Sequence, residues 1–263
     1  MPHTALLQAF EKAELGQLQD LRSLVAAQPN LATEADHNGS TLLLAVLAST
    51  VSMDSLMLQA CVKELLDAGA DPEANRLDSD WFSPLHLAIQ GNYIEVIEML
   101  LEAGCVLDAC GKHPHDMNAL ECALYTGKTP AAQILASKGA EVDLRLAGGL
   151  GWMDIVANTK GHDPATSGHN GAFFYACING QNTVIEYIID WGVDVNLQPP
   201  GEDFGGISAT GLHRAAEHNQ REACLTLVRL GARKDLVDDV FGKTPSEWAA
   251  FFGHKALAIE IAP

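Results

Sequence analysis

The chain has 263 residues, 48% of them hydrophobic, and a formal net charge of −18 at pH 7. So strong a negative charge excludes nucleic-acid phosphates and anionic membrane surfaces as the main partner, because both are repelled at long range, and it favours a basic partner. No apolar run approaches the ~20 residues that span a bilayer, and the start of the chain lacks a signal-peptide pattern. The six cysteines show no paired spacing. We therefore expect a cytoplasmic protein in a reducing compartment.

The first residues predict a helix pair with a polar outer side, which suits an N-terminal capping repeat over residues 1–35. A tight turn at residues 36–41 (DHNGST) then leads into an apolar helix from residue 42. Ala45 precedes Leu66, near the end of the following helix, by 21 residues, whereas the next unit needs only 13 from Ala88 to Leu101. We therefore predict an insertion of about eight residues around 49–56, in the turn between two helices.

The clearest unit begins at residues 83–88 (SPLHLA). Ser83 is placed to cap the first helix, Pro84 fits its first turn because the missing N–H has no partner there, and Gly91 starts the turn back. The second helix ends at residues 99–104 (MLLEAG). A helix pair this short cannot bury its own apolar faces, so it must stack on copies of itself.

Further copies recur along the chain at roughly the ~33-residue period of stacked helix pairs. Each first helix is anchored by an alanine, namely Ala45, Ala88, Ala123, Ala147, Ala176, Ala215 and Ala249. The second helices end with a glycine three residues after a pair of apolar positions, as at Gly139, Gly192 and Gly231. A glycine there signals the end of a helix.

These residues carry a family resemblance: the chain resembles ankyrin-repeat proteins. The carriers are residues 83–88, 210–216 (TGLHRAA), 242–245 (GKTP) with 248–249 (WA), 69–71 (GAD) and 192–196 (GVDVN). The resemblance implies an all-α solenoid of about seven to eight helix-turn-helix repeats, with short β-hairpin fingers and one domain over residues 1–263. It also implies a concave binding face made of finger tips and first helices.

Three segments depart from the pattern. Residues 144–170 predict a degenerate central repeat followed by a loop, with no room for a finger before it. Residues 197–207 lengthen a later finger, and residues 240–263 form a C-terminal capping repeat. Loops that exceed the minimum length of a repeat are favoured sites of function.

The resemblance also assigns roles to particular residues. His86 and His213 match a family histidine that is structural, so neither is a candidate site residue. The family's variable, groove-facing positions and the adjacent finger tips give the predicted partner-binding residues: Asp80, Trp81, Phe82, Gln90, Met117, Tyr125, Thr126, Ile178, Asn179, Phe204, Glu217, His218, Phe241, Lys243, Phe251 and Phe252. Aromatic side chains among acids are typical of interface cores.

The sequence contains no nucleophile elbow, phosphate-binding glycine loop or metalloprotease helix pair, so we predict no enzymatic activity and no cofactor. The densest group of ligand-type side chains is Cys110, His113 and His115, with His162 and His169 in a later loop. These residues leave open a metal-binding or enzymatic alternative. A structural spacer in a larger assembly is a second alternative.

The sequence thus predicts a non-catalytic, monomeric protein-interaction module that binds a basic protein partner on an acidic and aromatic concave face. One specific form is an inhibitor or neutralising protein that caps a basic effector. Ten acidic residues and one basic residue lie between positions 64 and 108, namely Glu64, Asp67, Asp71, Glu73, Asp78, Asp80, Glu95, Glu98, Glu102 and Asp108 against Arg76. This segment either steers the partner or serves as a solvated face that keeps the protein in solution.

Overall fold

A computed structural model describes residues 2–49, 54–74, 83–107, 117–158, 167–200 and 206–263. These ranges contain sixteen α-helices, so the predicted all-α repeat fold is confirmed. The helices are α1 (Pro2–Glu14), α2 (Leu18–Ala27), α3 (Leu42–Ala48), α4 (Ser55–Asp67), α5 (Pro84–Gln90), α6 (Ile94–Glu102), α7 (Ala119–Tyr125), α8 (Thr129–Ser137), α9 (Leu144–Leu150), α10 (Met153–Ala157), α11 (Ser167–Asn179), α12 (Asn182–Trp191), α13 (Gly211–Glu217), α14 (Arg221–Arg229), α15 (Pro245–Phe251) and α16 (Lys255–Glu260).

The helices follow one another as eight antiparallel pairs, which agrees with the predicted seven to eight repeats. A short 3-10 helix at Pro29–Ala32 follows the first pair. Within the described ranges, strand-like pairing is limited to an isolated antiparallel bridge between Ala35 and Thr41. The β-hairpin fingers therefore stay a prediction.

Hydroxyl side chains cap the N-terminus of several first helices. Ser83 accepts a hydrogen bond from the backbone N–H of His86, and Thr210 accepts one from that of His213. The same hydroxyls lie 2.8 Å from Nδ1 of the two histidines. Nε2 of His213 is 2.9 Å from the carbonyl oxygen of Lys243, and because a carbonyl can only accept, this nitrogen carries the proton. The structural role expected for both histidines is therefore seen in their contacts.

The core consists of the faces that each helix pair turns to its neighbours. Six of the seven anchor alanines are completely buried, and the exception, Ala45, is partly exposed. The glycines after the second helices adopt positive φ, as at Gly192 with φ 118°, a conformation that glycine adopts without a steric penalty.

The chain divides into two compact units. The first comprises Met1–Cys122 and Ser137–Ala140, and the second comprises Ala123–Ala136 and Glu141–Pro263. The predicted single domain over residues 1–263, with its two capping repeats, stays a prediction.

The insertion in the second helix pair lies in the first unit. Six residues separate α3 from α4, against three between α5 and α6, and α4 has 13 residues where α6 has 9. The extra length is thus divided between the connection, of which residues 50–53 lie outside the described ranges, and a longer second helix. Arg22 of α2 anchors α4 through its Nε, 2.8 Å from an Oε of Glu64.

The degenerate repeat lies in the second unit, where α10 has only five residues. Its first helix, α9, packs very closely against α11. A Cβ added to Gly148 would lie 2.4 Å from the carbonyl oxygen and 2.6 Å from the Cα of Ala172, so only glycine fits there. Gly149 also lies close to Leu124 and Tyr175, where a Cβ would be 3.0 Å and 3.1 Å from their side chains, a tight contact but a less severe one than at Gly148.

Helix α11 corrects one predicted boundary. It begins at Ser167, inside the loop that was expected to reach residue 170. The reason is tertiary: Phe173 and Phe174 are fully buried, and His169 packs edge-on against Trp191 with ring centroids 4.2 Å apart. A helix buried on nearly every side lacks the amphipathic period that marks a helix start in sequence.

The cysteines of the described ranges are buried, as their positions within helical patterns predicted. Burial raises the pKa of Cys61 to about 12 and that of Cys122 to about 11. Their thiols therefore act as small hydrophobic groups at neutral pH.

We expect the substitution Gly148→Ala to lower the free energy of unfolding by about 2–3 kcal/mol, because the new methyl group would overlap backbone atoms that cannot rotate away. Gly168→Ala is the matched control, since its Cβ would meet only the tip of Leu144 at 3.4 Å. That variant should stay within about 1 kcal/mol of wild type. Urea unfolding followed by circular dichroism measures both, and equal stability of the two variants would contradict the close-approach argument.

Candidate functional site

The described ranges contain twelve of the sixteen predicted partner-binding residues. Asp80, Trp81, Phe82 and Phe204 lie outside the described residues. In the first unit, Gln90 is exposed at the end of α5, whereas Met117 is buried. The remaining ten belong to the second unit, where several of them come together.

Asn179 connects the ends of two first helices. Its side-chain amide donates to the carbonyl oxygens of Leu124 and Tyr175, both at 2.9 Å, and its oxygen accepts a hydrogen bond from the Thr129 hydroxyl at 2.9 Å. Asn179 is 6% exposed and its neighbour Ile178 only 1%. Both residues were predicted to bind a partner, but they offer almost no surface: Asn179 holds the end of α11 against the end of α7, and the carbonyl oxygen of Ile178 accepts a hydrogen bond from Gln220 at 2.9 Å.

A polar cluster lies beside this junction; it consists of Tyr125, Arg214, Glu217 and His218. The Arg214 guanidinium is 3.1 Å from an Oε of Glu217, and Nε2 of His218 is 3.9 Å from the same oxygen. The His218 ring rests against Gly127, where a Cβ would lie 2.6 Å from its Nδ1. The structure thus brings the predicted residue Tyr125 to the predicted pair Glu217 and His218, which lies far from it in sequence.

The surroundings of His218 and Tyr125 keep both side chains uncharged at neutral pH. Burial, together with the nearby charges of Arg214 and Lys128, lowers the pKa of His218 to about 4. Burial raises the pKa of Tyr125, with Arg214 opposing and Glu217 reinforcing that shift. His218 is therefore a neutral imidazole and Tyr125 a neutral phenol, and both can exchange hydrogen bonds with a partner.

Sequence reasoning missed Arg214 and His254. Arg214 is 4% exposed, and its guanidinium also donates to the carbonyl oxygen of Ile207 at 3.2 Å. The ring of His254 lies 2.9 Å from the carbonyl oxygen of Glu217 and so connects α13 to the turn after α15. The signal available in the sequence was a charged residue, Arg214, directly after the structural His213. That position faces the neighbouring first helix, α15, where Arg214 meets Trp248.

An aromatic cluster follows in the last helix pair; it consists of Trp248, Phe251 and Phe252. Phe251 is 84% exposed and Phe252 44%, and their rings are perpendicular with centroids 5.2 Å apart. Trp248 is buried, lies 6.4 Å from Phe252 and donates from its indole N–H to Asp238 at 2.9 Å. The predicted exposure of Phe251 and Phe252 is thus seen directly.

The two other predicted residues of this region lie at a different place, in the turn before α15. Asp238 fixes this turn: its carboxylate accepts from the backbone N–H groups of Val240 and Lys243, both at 3.0 Å. Phe241 is 64% exposed there, while the Lys243 ammonium is 2.8 Å from the Glu247 carboxylate. The turn therefore exposes the ring of Phe241 and a lysine, Lys243, whose charge is paired with that of Glu247.

Most of the side chains behind the metal alternative, namely Cys110, His113, His115 and His162, lie outside the described residues. His169 is 2% exposed and packs against Trp191. In the part of the chain that the structure describes, no three or more His, Cys, Asp or Glu side chains are grouped so that they could hold a metal ion.

Comparison with known families agrees with this architecture. The family description "Ankyrin repeats (3 copies)" matches residues 4–110 and 56–145, more than half of the chain, and "Ankyrin repeat" matches residues 168–197. The chain therefore belongs to the ankyrin-repeat family. Ankyrin repeats are protein-interaction modules, so this is a protein-binding chain.

Similarity to individual proteins is confined to parts of longer chains. A Caenorhabditis elegans homologue of the transient receptor potential cation channel subfamily A member 1 is 26% identical over 183 residues, which cover 70% of this chain and 13% of that protein. The mouse protein fem-1 homolog A-like is 48% identical over 48 residues, 18% of this chain and 7% of its own. The chain thus spans a small part of the length of these curated relatives.

Among solved structures, the ankyrin repeat domain of human ASB11 aligns over 97% of both chains, with 18% identity and a TM-score of 0.48. None of the helices within the described ranges combines the length and the apolar character needed to cross a bilayer.

We expect stability to fall as the pH drops from about 6.5 to 4, because the unfolded chain takes up a proton at His218 that the folded protein does not. The contribution of this residue is on the order of 2 kcal/mol, fully present above pH ~6.5 and lost towards pH ~4. His218→Gln should flatten the pH dependence of urea unfolding across this window. His37→Gln, at an exposed turn, is the control. An unchanged slope in His218→Gln would contradict the assignment.

Proposed function

We propose that the chain is a non-catalytic binding module for a basic protein partner and that the second unit contributes its aromatic and polar clusters to the binding face. The exposure of Phe251 and Phe252 carries the proposal. Two adjacent phenylalanines in water are unfavourable unless a partner covers them, and large rigid rings bury much area at little cost in conformational entropy. Both occupy positions that vary between ankyrin repeats.

Charge supports the basic nature of the partner. The net charge of −18 creates a long-range field that attracts cationic proteins and repels anionic ones. In the first unit, Glu95, Glu98 and Glu102 follow one another along one side of α6, and they form no ion pair within the described ranges. Such side chains accelerate encounter with a basic surface, and salt screens their effect.

An inhibitory or neutralising role is the specific form that we propose. A non-catalytic module that covers a basic surface acts by occupying it, so the consequence for a basic effector is loss of access to its own target. Monomeric state and cytoplasmic location stay predictions within this proposal.

The test is capture of partners from a lysate of the native host by immobilised protein, with quantitative mass spectrometry. Phe251→Ala with Phe252→Ala should weaken binding of a specific partner by more than ~2 kcal/mol, at least about thirtyfold in affinity. Ile259→Ala is the matched control, because Ile259 is 80% exposed on α16 of the same helix pair. The captured proteins should be basic and be released by high salt. A partner retained equally by both variants would refute the proposed face.

Tyr125 tests the polar cluster separately. Tyr125→Ala should weaken the same partner by more than ~1 kcal/mol, since truncation removes a half-buried ring beside Glu217. Isothermal titration calorimetry with the identified partner measures this change. Lys255→Ala, on α16, is a useful control because it alters an exposed side chain without touching the polar cluster. An unaltered affinity in Tyr125→Ala would restrict the face to the aromatic cluster.

A further inference from the structure

We infer that the aromatic cluster binds arginine side chains of the partner, with a guanidinium group stacked on the exposed rings of Phe251 and Phe252. The inference rests on the proposed basic partner and specifies the chemical group that this surface takes.

The cluster already binds one guanidinium within the chain. Cζ of Arg214 lies 5.3 Å from the centre of the Trp248 ring, within the range of a cation–π interaction. Arg214 is 4% exposed and also paired with Glu217, so its contact with Trp248 occupies the buried side of the cluster. The outer two rings continue the same aromatic surface into solvent, since Phe252 lies 6.4 Å from Trp248.

The outer rings offer a surface suited to a planar cation. Phe251 and Phe252 meet edge-to-face at 90°, and with Phe251 84% exposed its ring faces remain open to a ligand. Aromatic faces carry negative electrostatic potential. A guanidinium stacks flat on such a face and is more weakly hydrated than an ammonium group, so arginine is favoured over lysine.

Nearby fixed charges are largely compensated. Lys243 pairs with Glu247 at 2.8 Å, Arg214 with Glu217 at 3.1 Å, and Arg221 bonds both oxygens of the Glu260 carboxylate. Lys255 is a further cation, exposed at the start of α16. Because these carboxylates are already paired, they do not account for attraction of an arginine side chain. The rings provide the selectivity for a guanidinium, and the net charge of −18 provides long-range attraction.

The experiment uses the full chain and three labelled pentapeptides: penta-arginine, penta-lysine and penta-citrulline, whose side chains match arginine in shape but are neutral. Fluorescence anisotropy measures affinity at low salt. We expect penta-arginine to bind more tightly than penta-lysine, and penta-citrulline to bind least. Aromatic NMR spectra of phenylalanine-labelled protein should place the shifts at Phe251 and Phe252.

Leucine substitutions separate stacking from simple burial, because leucine keeps most of the apolar area but has no π system. Phe251→Leu with Phe252→Leu should weaken penta-arginine binding about fivefold, while Phe251→Tyr and Ile259→Leu should leave it within twofold of wild type. No binding of penta-arginine by wild type, affinity equal to that for penta-citrulline, or full affinity in the double leucine variant would each overturn the inference. Partner capture lost in the double alanine variant but kept in the double leucine variant would also overturn it, while sustaining the proposed function.

Discussion

The close approach of α9 to α11 is the constraint on which the second unit depends. Gly148 lies against the backbone of Ala172, and Gly149 lies against Leu124 and Tyr175, so the degenerate repeat occupies less space than a complete one. In the same unit, the amide of Asn179 at the end of α11 donates to the carbonyl oxygen of Leu124. Side chains at these glycines would separate the helices and remove that bond, because packed interiors do not accommodate added volume without strain.

The small size of the degenerate repeat also bears on which residues form the candidate site. With the ends of α7 and α11 joined, the ring of His218, the residue after α13, rests on Gly127, and the charges of Arg214 and Glu217 act on Tyr125. Burial favours the neutral forms of His218 and Tyr125, and the Arg214 guanidinium pairs with the Glu217 carboxylate. A rigid polar cluster therefore lies beside an exposed aromatic one, with Arg214 contacting both through Glu217 and Trp248.

Several parts of this site could be predicted from sequence, and others could not. The family's variable positions gave Tyr125, Glu217, His218, Phe251 and Phe252, because the repeat period fixes which residues lie at the end of each first helix. The same reasoning included Ile178 and Asn179, which are buried, since a period says nothing about a neighbouring repeat that is shorter than the rest. Arg214 was missed because its role depends on Glu217, Trp248 and Ile207, none of which its local pattern identifies.

The sequence by itself determined the repeat family, the order of the helix pairs, the caps at Ser83 and Thr210 and the structural histidines, because each is set by interactions within one repeat or with the next. It also determined the net charge and hence the class of partner that the long-range field favours. Only the tertiary structure decided where α11 begins, which variable positions are buried and which side chains form the two clusters. Those outcomes depend on contacts between residues far apart in the chain. Among these contacts is the close packing that Gly148 and Gly149 of α9 allow against neighbouring helices.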